Sequence, residues 1–403
     1  MTAPKLRFKE FDGDWLPYVL KDFVSFRKGK GISKADISED GINECIRYGE
    51  LYTTYGQVIR KVQSKTYVSK SECVLSQAGD VLIPASGETQ IDIATASCVL
   101  KGDVILSGDL NILSHKENGE WLAYYLSSAK KLDIAQLAQG NSVVHLYSSQ
   151  LKDLKINKPS KAEQTKIASF LSAVDEKISQ LTKKHQLLSQ YKQGMMQKLF
   201  SQQLRFKADD GSEFGEWEDK PLNEIASKRS GKNKDGSISE VLTNSATQGI
   251  IKQSDYFERE IVTESNLNGY YIVNLDDFVY NPRISVHAPV GPIKRNKKCL
   301  GVMSPLYTVF TVSEGNLAYL EYFFDSNFWH DYVKGVANSG ARHDRMNITN
   351  KDFFDMPIFY PCLEEQTKIA NFLSSIDQKI EVVAQQIEQA KTWKKGLLQQ
   401  MFV

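Results

Sequence analysis

The chain has 403 residues, of which 41% are hydrophobic and 25% charged, an ordinary composition for a globular protein of two or three domains. Its formal net charge of +1 lacks the basic excess of many nucleic-acid-binding proteins, so any phosphate contact must come from local patches. We find no apolar run long enough for a transmembrane helix and recognise no signal peptide, so we expect a cytoplasmic protein. Five cysteines without CxxC spacing favour neither a disulfide framework nor a zinc site.

Residues 1–160 predict a mixed α/β region. Short apolar runs at 81–83 and 104–106 have the composition of strands, and 121–129 has the spacing of a helix. A proline then precedes a long heptad-patterned stretch, for which we predict a coiled-coil helix over 161–204.

The same order of elements returns in residues 205–362. A strand is predicted at 307–311 and a helix at 317–332. A proline again precedes a heptad-patterned stretch, which predicts a second coiled-coil helix over 363–403.

The two halves of the chain are copies of one unit. Residues 163–171 are EQTKIASFL and residues 365–373 are EQTKIANFL, at an offset of 202. The match continues without a gap to Phe200 and Phe402, with 16 of 38 pairs identical. Such a period is far longer than the roughly 20–50 residues of a solenoid repeat. The sequence therefore predicts two divergent globular regions, each followed by a similar helix.

Both helices carry apolar residues at alternating steps of four and three. This period of 3.5 residues makes a narrow seam that packs against another helix, and the simplest partner of each helix is the other. We therefore predict an α/β fold of the α+β type, in which two mixed globular domains are joined by two long antiparallel coiled-coil helices with pseudo-two-fold symmetry. Packing of each helix on its own domain is the alternative. The predicted seam residues are Ile167, Leu171, Val174, Ile178, Leu181, His185, Leu188, Ile369, Leu373, Ile376, Ile380, Val383 and Ile387.

Several loops carry side chains suited to DNA. Basic, glycine-punctuated loops suit phosphate contacts, and polar loops suit base contacts, since Arg pairs with guanine, Asn and Gln with adenine, and carboxylates with cytosine. Corresponding loops differ strongly between the halves, as expected if each half recognises a different sequence, although any one of them could be a solvated turn. The candidates in the first half are Arg27, Lys28, Lys30, Lys34, Ser86, Glu88, Thr89, Gln90, Asn141, Ser142 and His145. The candidates in the second half are Lys228, Arg229, Lys232, Lys234, Asn281, Arg283, Ser285, Arg342, His343 and Arg345.

Catalytic motifs are missing from the sequence. We find no phosphate loop, no GxGxxG turn, no HExxH and no GxSxG. The stretch at 281–283 has an Arg where the Asn-Pro-Pro-aromatic loop of amino-methyltransferases has its second proline, so a strand-end turn is favoured there. We therefore predict no catalytic residue and no metal site on this chain.

This organisation resembles the specificity subunit of a type I restriction–modification enzyme. The resemblance rests on two variable regions, each followed by a proline and a helix that opens with EQTKIA, and it covers nearly the whole chain. The tryptophan anchors Trp15 and Trp217 and the stretch GDVLIPASG at 79–87 also match the family's style. The second copy departs at 276–283, where it keeps only the acidic-hydrophobic pattern.

The resemblance implies a non-catalytic subunit with two target-recognition domains on a helical rod. It would bind double-stranded DNA at a bipartite, asymmetric site, one half to each domain. It would dock two methyltransferase (modification) subunits, which use S-adenosylmethionine to methylate adenine, and through them two ATP-driven restriction (translocase/nuclease) subunits. S-adenosylmethionine, ATP and Mg are accordingly expected on the partner subunits, with no cofactor on this chain and no membrane contact.

Two other hypotheses remain at this stage. The chain could serve a related type II-like enzyme in which methylation and cleavage share one other polypeptide, and the neighbouring genes would decide this. It could also be a coiled-coil scaffold without a DNA role, which would show no sequence preference in a DNA-binding assay.

Overall fold

The computed structural model describes residues 3–140, 143–256, 264–338 and 344–402. The chain divides into two compact units. Unit 1 comprises Met1–Lys183 and Val383–Val403, and unit 2 comprises Lys184–Val382. Each unit therefore contains one globular region, the first part of one long helix and the last part of the other.

Unit 1 is a mixed α/β unit of short elements before its long-helix segments. Its strands are Leu16–Val19 (β1), Val24–Lys28 (β2), Asn43–Ile46 (β3), Val58–Ile59 (β4), Ser64–Thr66 (β5), Val74–Leu75 (β6), Val81–Pro84 (β7), Ser86–Gly87 (β8), Ser97–Val99 (β9), Ile105–Leu106 (β10), Leu110–His115 (β11), Val144–His145 (β12) and Lys155–Lys158 (β13). Its helices are Glu50–Thr53 (α1), Gln90–Ile93 (α2), Gly119–Ser127 (α3), Lys131–Leu137 (α4) and Ser148–Leu151 (α5), and the first long helix is Lys161–Phe200 (α6).

Unit 2 repeats this kind of architecture. Its strands are Glu218–Pro221 (β14), Ala226–Lys228 (β15), Leu242–Ser245 (β16), Gly249–Lys252 (β17), Tyr271–Val273 (β18), Phe278–Tyr280 (β19), Ile293–Arg295 (β20), Gly301–Met303 (β21), Thr308–Val312 (β22) and Pro357–Tyr360 (β23). Its helices are Leu222–Ile225 (α7), Gln253–Tyr256 (α8), Leu317–Asp325 (α9), His330–Val336 (α10) and Asn350–Phe354 (α11), and the second long helix is Leu363–Gln400 (α12). Short 3₁₀ turns occupy Leu20–Asp22, Lys34–Asp36, Lys70–Glu72 and Glu264–Gly269.

The central sheets of the two units share one register. In unit 1 the strand order is β2-β11-β7-β9-β4, and Leu113 of β11 lies opposite Phe26 and Val81. In unit 2 the order is β15-β22-β19-β20, and Phe310 of β22 lies opposite Lys228 and Phe278. The strands β22, β15 and β19 thus repeat β11, β2 and β7 residue for residue. This shared register confirms the duplicated framework and defines which residues of the two units correspond.

Most of the predicted elements are present. The predicted strands at 81–83, 104–106 and 307–311 are β7, β10 and β22, and the helix at 121–129 is α3. The single helix predicted at 317–332 is wrong, because α9 ends at Asp325 and α10 begins at His330. The chain turns between them so that Trp329 enters the core, where it is 2% exposed and its indole nitrogen donates to the Phe324 carbonyl.

A repeated glutamate fastens each long helix to its globular region. In unit 2, Glu365 is fully buried and accepts hydrogen bonds from Arg205 at 3.1 and 2.7 Å and from the Trp217 indole at 2.9 Å. In unit 1, Glu163 accepts two bonds of 2.8 Å from Arg7, and a third from the Trp15 indole at 3.3 Å. The first residue of the EQTKIA motif is therefore a buried charge paired with an arginine and a tryptophan from the start of each region.

The glutamine of the motif is hydrogen-bonded to the start of a helix that precedes it in sequence, α3 in unit 1 and α9 in unit 2. Gln366 accepts a hydrogen bond from the Asn316 backbone nitrogen and donates to the Pro361 carbonyl, both at 2.8 Å. Gln164 accepts from Asn118 and donates to Pro159 in the same way, at 3.1 Å for both bonds. Asn118 and Asn316 are the N-caps of α3 and α9, so one glutamine ties the cap of a buried helix to the proline before the long helix.

Each unit also holds a partly buried cluster of one lysine, one aspartate and one tyrosine. In unit 1, Asp175 of α6 pairs with Lys394 of α12 at 2.6 Å and accepts the Tyr124 hydroxyl at 2.6 Å. In unit 2, Asp377 of α12 pairs with Lys192 of α6 at 2.6 Å. Asp377 also accepts a hydrogen bond from the hydroxyl of Tyr322 on α9, which is the counterpart of Tyr124 on α3. Burial raises the pKa of both tyrosines, so their hydroxyls stay protonated donors.

The long helices run antiparallel within each unit. In unit 1 the first part of α6 lies against the last part of α12, as Phe170 against Trp393 and Asp175 against Lys394 show. In unit 2 the last part of α6 lies against the first part of α12. The buried seam residues are Ile167, Leu171, Val174, Leu181, Ile369, Leu373, Ile376, Val383 and Ile387, and the half-buried ones are Ile178, His185, Leu188 and Ile380.

Unit 1 has a histidine, His115, at the strand position where unit 2 has Val312. Val24 lies opposite His115, and Ala226, its counterpart in unit 2, lies opposite Val312. Both ring nitrogens of His115 are shielded from solvent, and burial lowers its pKa. A histidine whose pKa is lowered in the folded state binds a proton more readily in the unfolded state. His115 therefore destabilises the folded protein as the pH falls below about 6.5, the pKa of histidine in an unfolded chain.

We expect His115→Val to reduce the loss of unit 1 stability between pH 7 and pH 5.5. The measurement is hydrogen exchange of β11 and β2 amides at both pH values, with unit 2 as the internal reference. His287, which is exposed, supplies the control variant His287→Val. Equal acid sensitivity in wild type and His115→Val would contradict the assignment.

Candidate nucleic-acid interface

The basic loop after β2 lies against the turn between β10 and β11. Gly29 donates to the Leu110 carbonyl and Lys30 to the Leu106 carbonyl, both at 3.0 Å. A Cβ at Gly29 would come within 1.8 Å of the Ser107 carbonyl oxygen, so only glycine fits this approach. The side chains of Lys28, Lys30 and Lys34 are exposed, and in the part of the chain that the structure describes no ion pair engages them.

The arginine of this loop has a structural role instead. Arg27 donates to Asp80 at 2.5 Å, to the Leu75 carbonyl at 3.1 Å and to Ser114 at 3.2 Å. Its counterpart Arg229 donates to Asp277 at 2.8 Å. Asp80 and Asp277 are 3% and 1% exposed, so each arginine neutralises a buried carboxylate. DNA contact by Arg27, Arg229 and the lysines stays a prediction, and the lysines differ from the two arginines in having no ion pair among the described residues.

Two neighbouring cavities open beside the basic loop. The larger, of about 680 Å³, is lined by Lys28, Lys30 and Asp109 among others. The smaller, of about 310 Å³, is lined by Lys34, Arg47 and Asp109 among others. We call the two together the unit 1 cleft. It brings together four cationic side chains and two carboxylates, Asp36 and Asp109.

The two polar loops predicted in the first half come together in the structure. β8 pairs with β12, and the Ser86 hydroxyl lies 3.1 Å from His145 Nδ1. Thr89 caps α2 by accepting from the Asp92 backbone nitrogen at 3.1 Å, which leaves Glu88 and Gln90 exposed. Asn141 and Ser142 lie outside the described residues.

These polar loops adjoin the unit 1 cleft. The Ala85 backbone nitrogen donates to the Asp109 carbonyl at 2.7 Å, and the Ala85 carbonyl accepts from Leu146 at 3.0 Å. Ala85 immediately precedes Ser86, so backbone hydrogen bonds connect the Asp109 turn of the cleft to the Ser86 loop and to the strand of His145, although Ser86 itself is only 5% exposed.

The corresponding loops of unit 2 also meet. Arg283 forms an isolated antiparallel bridge with Arg345, and Arg283 and Ser285 are exposed. A hydrogen bond from Arg345, with the nearby charge of Arg283, lowers the pKa of Asp344. Asn281 is 8% exposed, and its amide donates to the Asn244 carbonyl at 2.9 Å and accepts from the Arg283 backbone nitrogen, so it holds this loop in place.

The remaining candidates of unit 2 lie on its basic loop. Lys228 is exposed and donates to Asn350 at 3.0 Å, whereas Lys232 and Lys234 are exposed without an ion pair among the described residues. Arg342 and His343 lie outside the described residues. Among the residues that the structure describes, no group of histidine, cysteine and carboxylate side chains is arranged to hold a metal ion.

Three charged residues of the unit 1 cleft, Asp36, Arg47 and Asp109, were not predicted as site residues. Arg47 follows β3, more than ten residues from the lysine loop, and Asp109 sits in the turn before β11. The repeated anchor, Leu106-Ser107 in one half and Met303-Ser304 in the other, gave a signal, because the residues that follow it differ: Gly108-Asp109 in the first half and Pro305-Leu306 in the second.

Comparison with protein families identifies the chain. A family described as "Type I restriction modification DNA specificity domain" matches residues 12–189 and matches again at residues 215–392. The chain belongs to this family. The predicted type I specificity subunit, with DNA recognition rather than catalysis as its role, is thereby confirmed, as is the duplicated α/β fold with long helices.

Individual relatives agree with this membership. The type I restriction enzyme MjaVIII specificity subunit of Methanocaldococcus jannaschii is 26% identical over 97% of this chain and 94% of its own length. The putative type I restriction enzyme MjaX specificity subunit of the same organism is 30% identical over 74% of this chain and 71% of its own length.

Solved structures show the same fold. The crystal structure of the type I restriction–modification S subunit from M. genitalium aligns with a TM-score of 0.61 and 15% identity over 100% of this chain and 99% of that one. A chain from a structure concerning complex assembly and conformational transition of the type I system aligns with a TM-score of 0.53 and 16% identity, over 95% of this chain and 96% of that one. None of the described helices is long and apolar enough to cross a bilayer.

Proposed function

We propose that each unit of this specificity subunit binds one half of a bipartite, asymmetric DNA site. The proposal rests on the observation that the two units share one framework of strands but carry loops with different side chains. Strands β11 and β22 have the same register, yet the polar loops beside them carry Ser86 and His145 in unit 1 and Arg283 and Arg345 in unit 2. Different side chains on equivalent loops recognise different bases, while the exposed lysines contact phosphates.

We further propose that the long helices act as a ruler between the two half-sites. They are 40 and 38 residues long, about 60 Å at 1.5 Å per residue. The Asp175–Lys394 and Lys192–Asp377 pairs support a fixed antiparallel register between the two helices. The repeat makes Asp175 equivalent to Asp377 and Lys192 equivalent to Lys394, so the two pairs are the same contact made twice. A rod of fixed length would hold the recognition domains a fixed number of base pairs apart.

The partners we propose are two modification subunits and, through them, two restriction subunits. In support, each long helix exposes an aromatic side chain at the same repeat position, Tyr191 at 51% and Trp393 at 53%. Two equivalent exposed aromatics suit two equivalent protein partners. S-adenosylmethionine on the modification subunits, and ATP and Mg on the restriction subunits, would supply the chemistry that this chain lacks.

Exchange of one globular region tests modular recognition. Replacing residues 1–160 by the first region of another family member is expected to change only one half of the methylated site, because unit 2 keeps its loops. The measurement is genome-wide mapping of methyladenine in cells that carry the modification subunit. The reciprocal exchange of residues 205–362 is the matched control and should change only the other half.

A change in both halves would contradict modular recognition. A chain without any sequence preference in salt-dependent DNA binding, with the modification subunit present, would favour the scaffold hypothesis instead. The genes beside this one would distinguish a type I complex from a two-polypeptide system.

A further inference from the structure

We propose that Asp109 and Arg47 together read one G·C base pair in the half-site bound by unit 1. Asp109 would accept a hydrogen bond from cytosine N4, and Arg47 would donate to guanine O6 and N7. The proposal rests on the proposed DNA-recognition function and names the side chains and the base pair for one position of that site.

The backbone holds Asp109 in an uncommon conformation. Its φ is +56°, in the left-handed region that residues other than glycine rarely adopt, although Asp and Asn tolerate it. The bond from the Ala85 nitrogen to its carbonyl fixes the turn, and Gly108 precedes it. Such conformations cluster at functional sites, and here the turn presents a side chain at the junction of the unit 1 cleft and the polar loops.

The carboxylate of Asp109 is unengaged in a basic cleft. Among the described residues, no hydrogen bond or ion pair reaches its oxygens, although Lys28, Lys30 and Lys34 line the same cavities. Asp36, the other acidic residue that lines the cleft, accepts instead from the Ser33 nitrogen and hydroxyl at 2.7 Å. Phosphates repel a carboxylate, so the DNA group that suits Asp109 is a base amino group, while the lysines suit the phosphates on either side.

Arg47 completes the pair of contacts. It lines the smaller cavity with Asp109, and its Nε is shielded from solvent without an acceptor among the described residues. Its only side-chain bond there is a long one of 3.3 Å, from Nη2 to Glu50. Glu50 is 6% exposed and also accepts from the Arg47 backbone nitrogen at 2.8 Å, so it positions the arginine and leaves most of its donors free.

Unit 2 lacks this arrangement. The strand register places Leu306 where unit 1 has Asp109, and Pro305 where it has Gly108. A leucine cannot accept a hydrogen bond, so the contact belongs to one half-site alone. This asymmetry is what a site with two unlike halves requires.

Asp109→Gly tests the proposal, because glycine adopts the same backbone without strain and removes the carboxylate. Methyladenine mapping and competition binding with the assembled methyltransferase are expected to show discrimination at one G·C position falling about tenfold, with the other half-site unchanged. The second variant, Asp109→Asn, should shift preference at that position towards A·T, since an amide reads adenine.

Asp103→Gly is the matched control. Asp103 also has a left-handed φ, of +67°, but pairs with Lys70 outside the cleft, so its loss should leave the recognised sequence unchanged. Unaltered discrimination in a folded Asp109→Gly protein would overturn the proposal, as would weaker binding spread equally over all sequences. A wild-type complex without sequence preference would instead refute the proposed function itself.

Discussion

One heptad inserted into each long helix is expected to lengthen the spacer of the recognised site by about three base pairs. Seven helical residues add about 10 Å, and a base pair advances about 3.4 Å. The insertions belong after Gln180 and after Val382, which are equivalent in the repeat, with leucine at the two seam positions. A whole heptad keeps the 3.5-residue seam in phase and leaves both lysine–aspartate pairs matched.

The measurement is binding of the assembled methyltransferase to a series of DNA duplexes whose spacers grow by single base pairs. The control carries the heptad in α6 alone, so the two lysine–aspartate pairs can no longer form together, and it should lose binding at every spacer. A doubly extended protein that still prefers the original spacer would refute the ruler.

Glu365→Ala is expected to destabilise unit 2 by about 3 kcal/mol. The substitution leaves the Arg205 guanidinium and the Trp217 indole nitrogen without their shared acceptor at a site where Glu365 itself is fully buried. Glu364→Ala is the matched control, since Glu364 is the preceding residue, is exposed and, among the residues the structure describes, makes only a 3.9 Å ion pair with Lys368.

Hydrogen exchange measures this effect unit by unit, which a single unfolding midpoint of a two-unit chain does not. Amides at the start of α12 and in the core around α9 should exchange faster in Glu365→Ala, and those of β7 and β11 in unit 1 should keep their wild-type rates. Unchanged protection in unit 2, or equal effects of Glu364→Ala and Glu365→Ala, would remove the structural role given to the motif glutamate.

The local parts of the fold were predictable because local pattern determines them. Prolines and heptads predicted the beginnings of α6 and α12 at 161 and 363, as the structure has them. The break between α9 and α10 was missed, although the polar run Asp325-Ser326-Asn327 marks it in the sequence. The packing of Trp329 into the core is visible only in the fold.

The candidate site was predictable only in part, because ion pairing across the fold is not visible along the chain. Arg27 has the same appearance as Lys28 in a basic loop, and only the fold brings Asp80 to it. Asp109 in a Gly-Asp turn has the pattern of an ordinary solvated turn, and its place among lysines depends on the approach of β2 and β3 to that turn. Contacts between residues that are distant in sequence therefore determine which cationic side chains are paired within the fold and which are exposed.

The lysine–aspartate pairs have the reciprocity of a homodimer interface. Asp175 meets Lys394, Asp377 meets Lys192, and the repeat makes these the same two positions exchanged. That is the rule for an isologous contact, in which residue i meets j and j meets i. A fragment that ends at residue 204 would retain one aspartate and one lysine of this contact, the complete set that two identical copies need to pair with each other. In the present chain both copies of this contact belong to a single polypeptide, whose two globular regions can differ in sequence as those of two identical copies cannot.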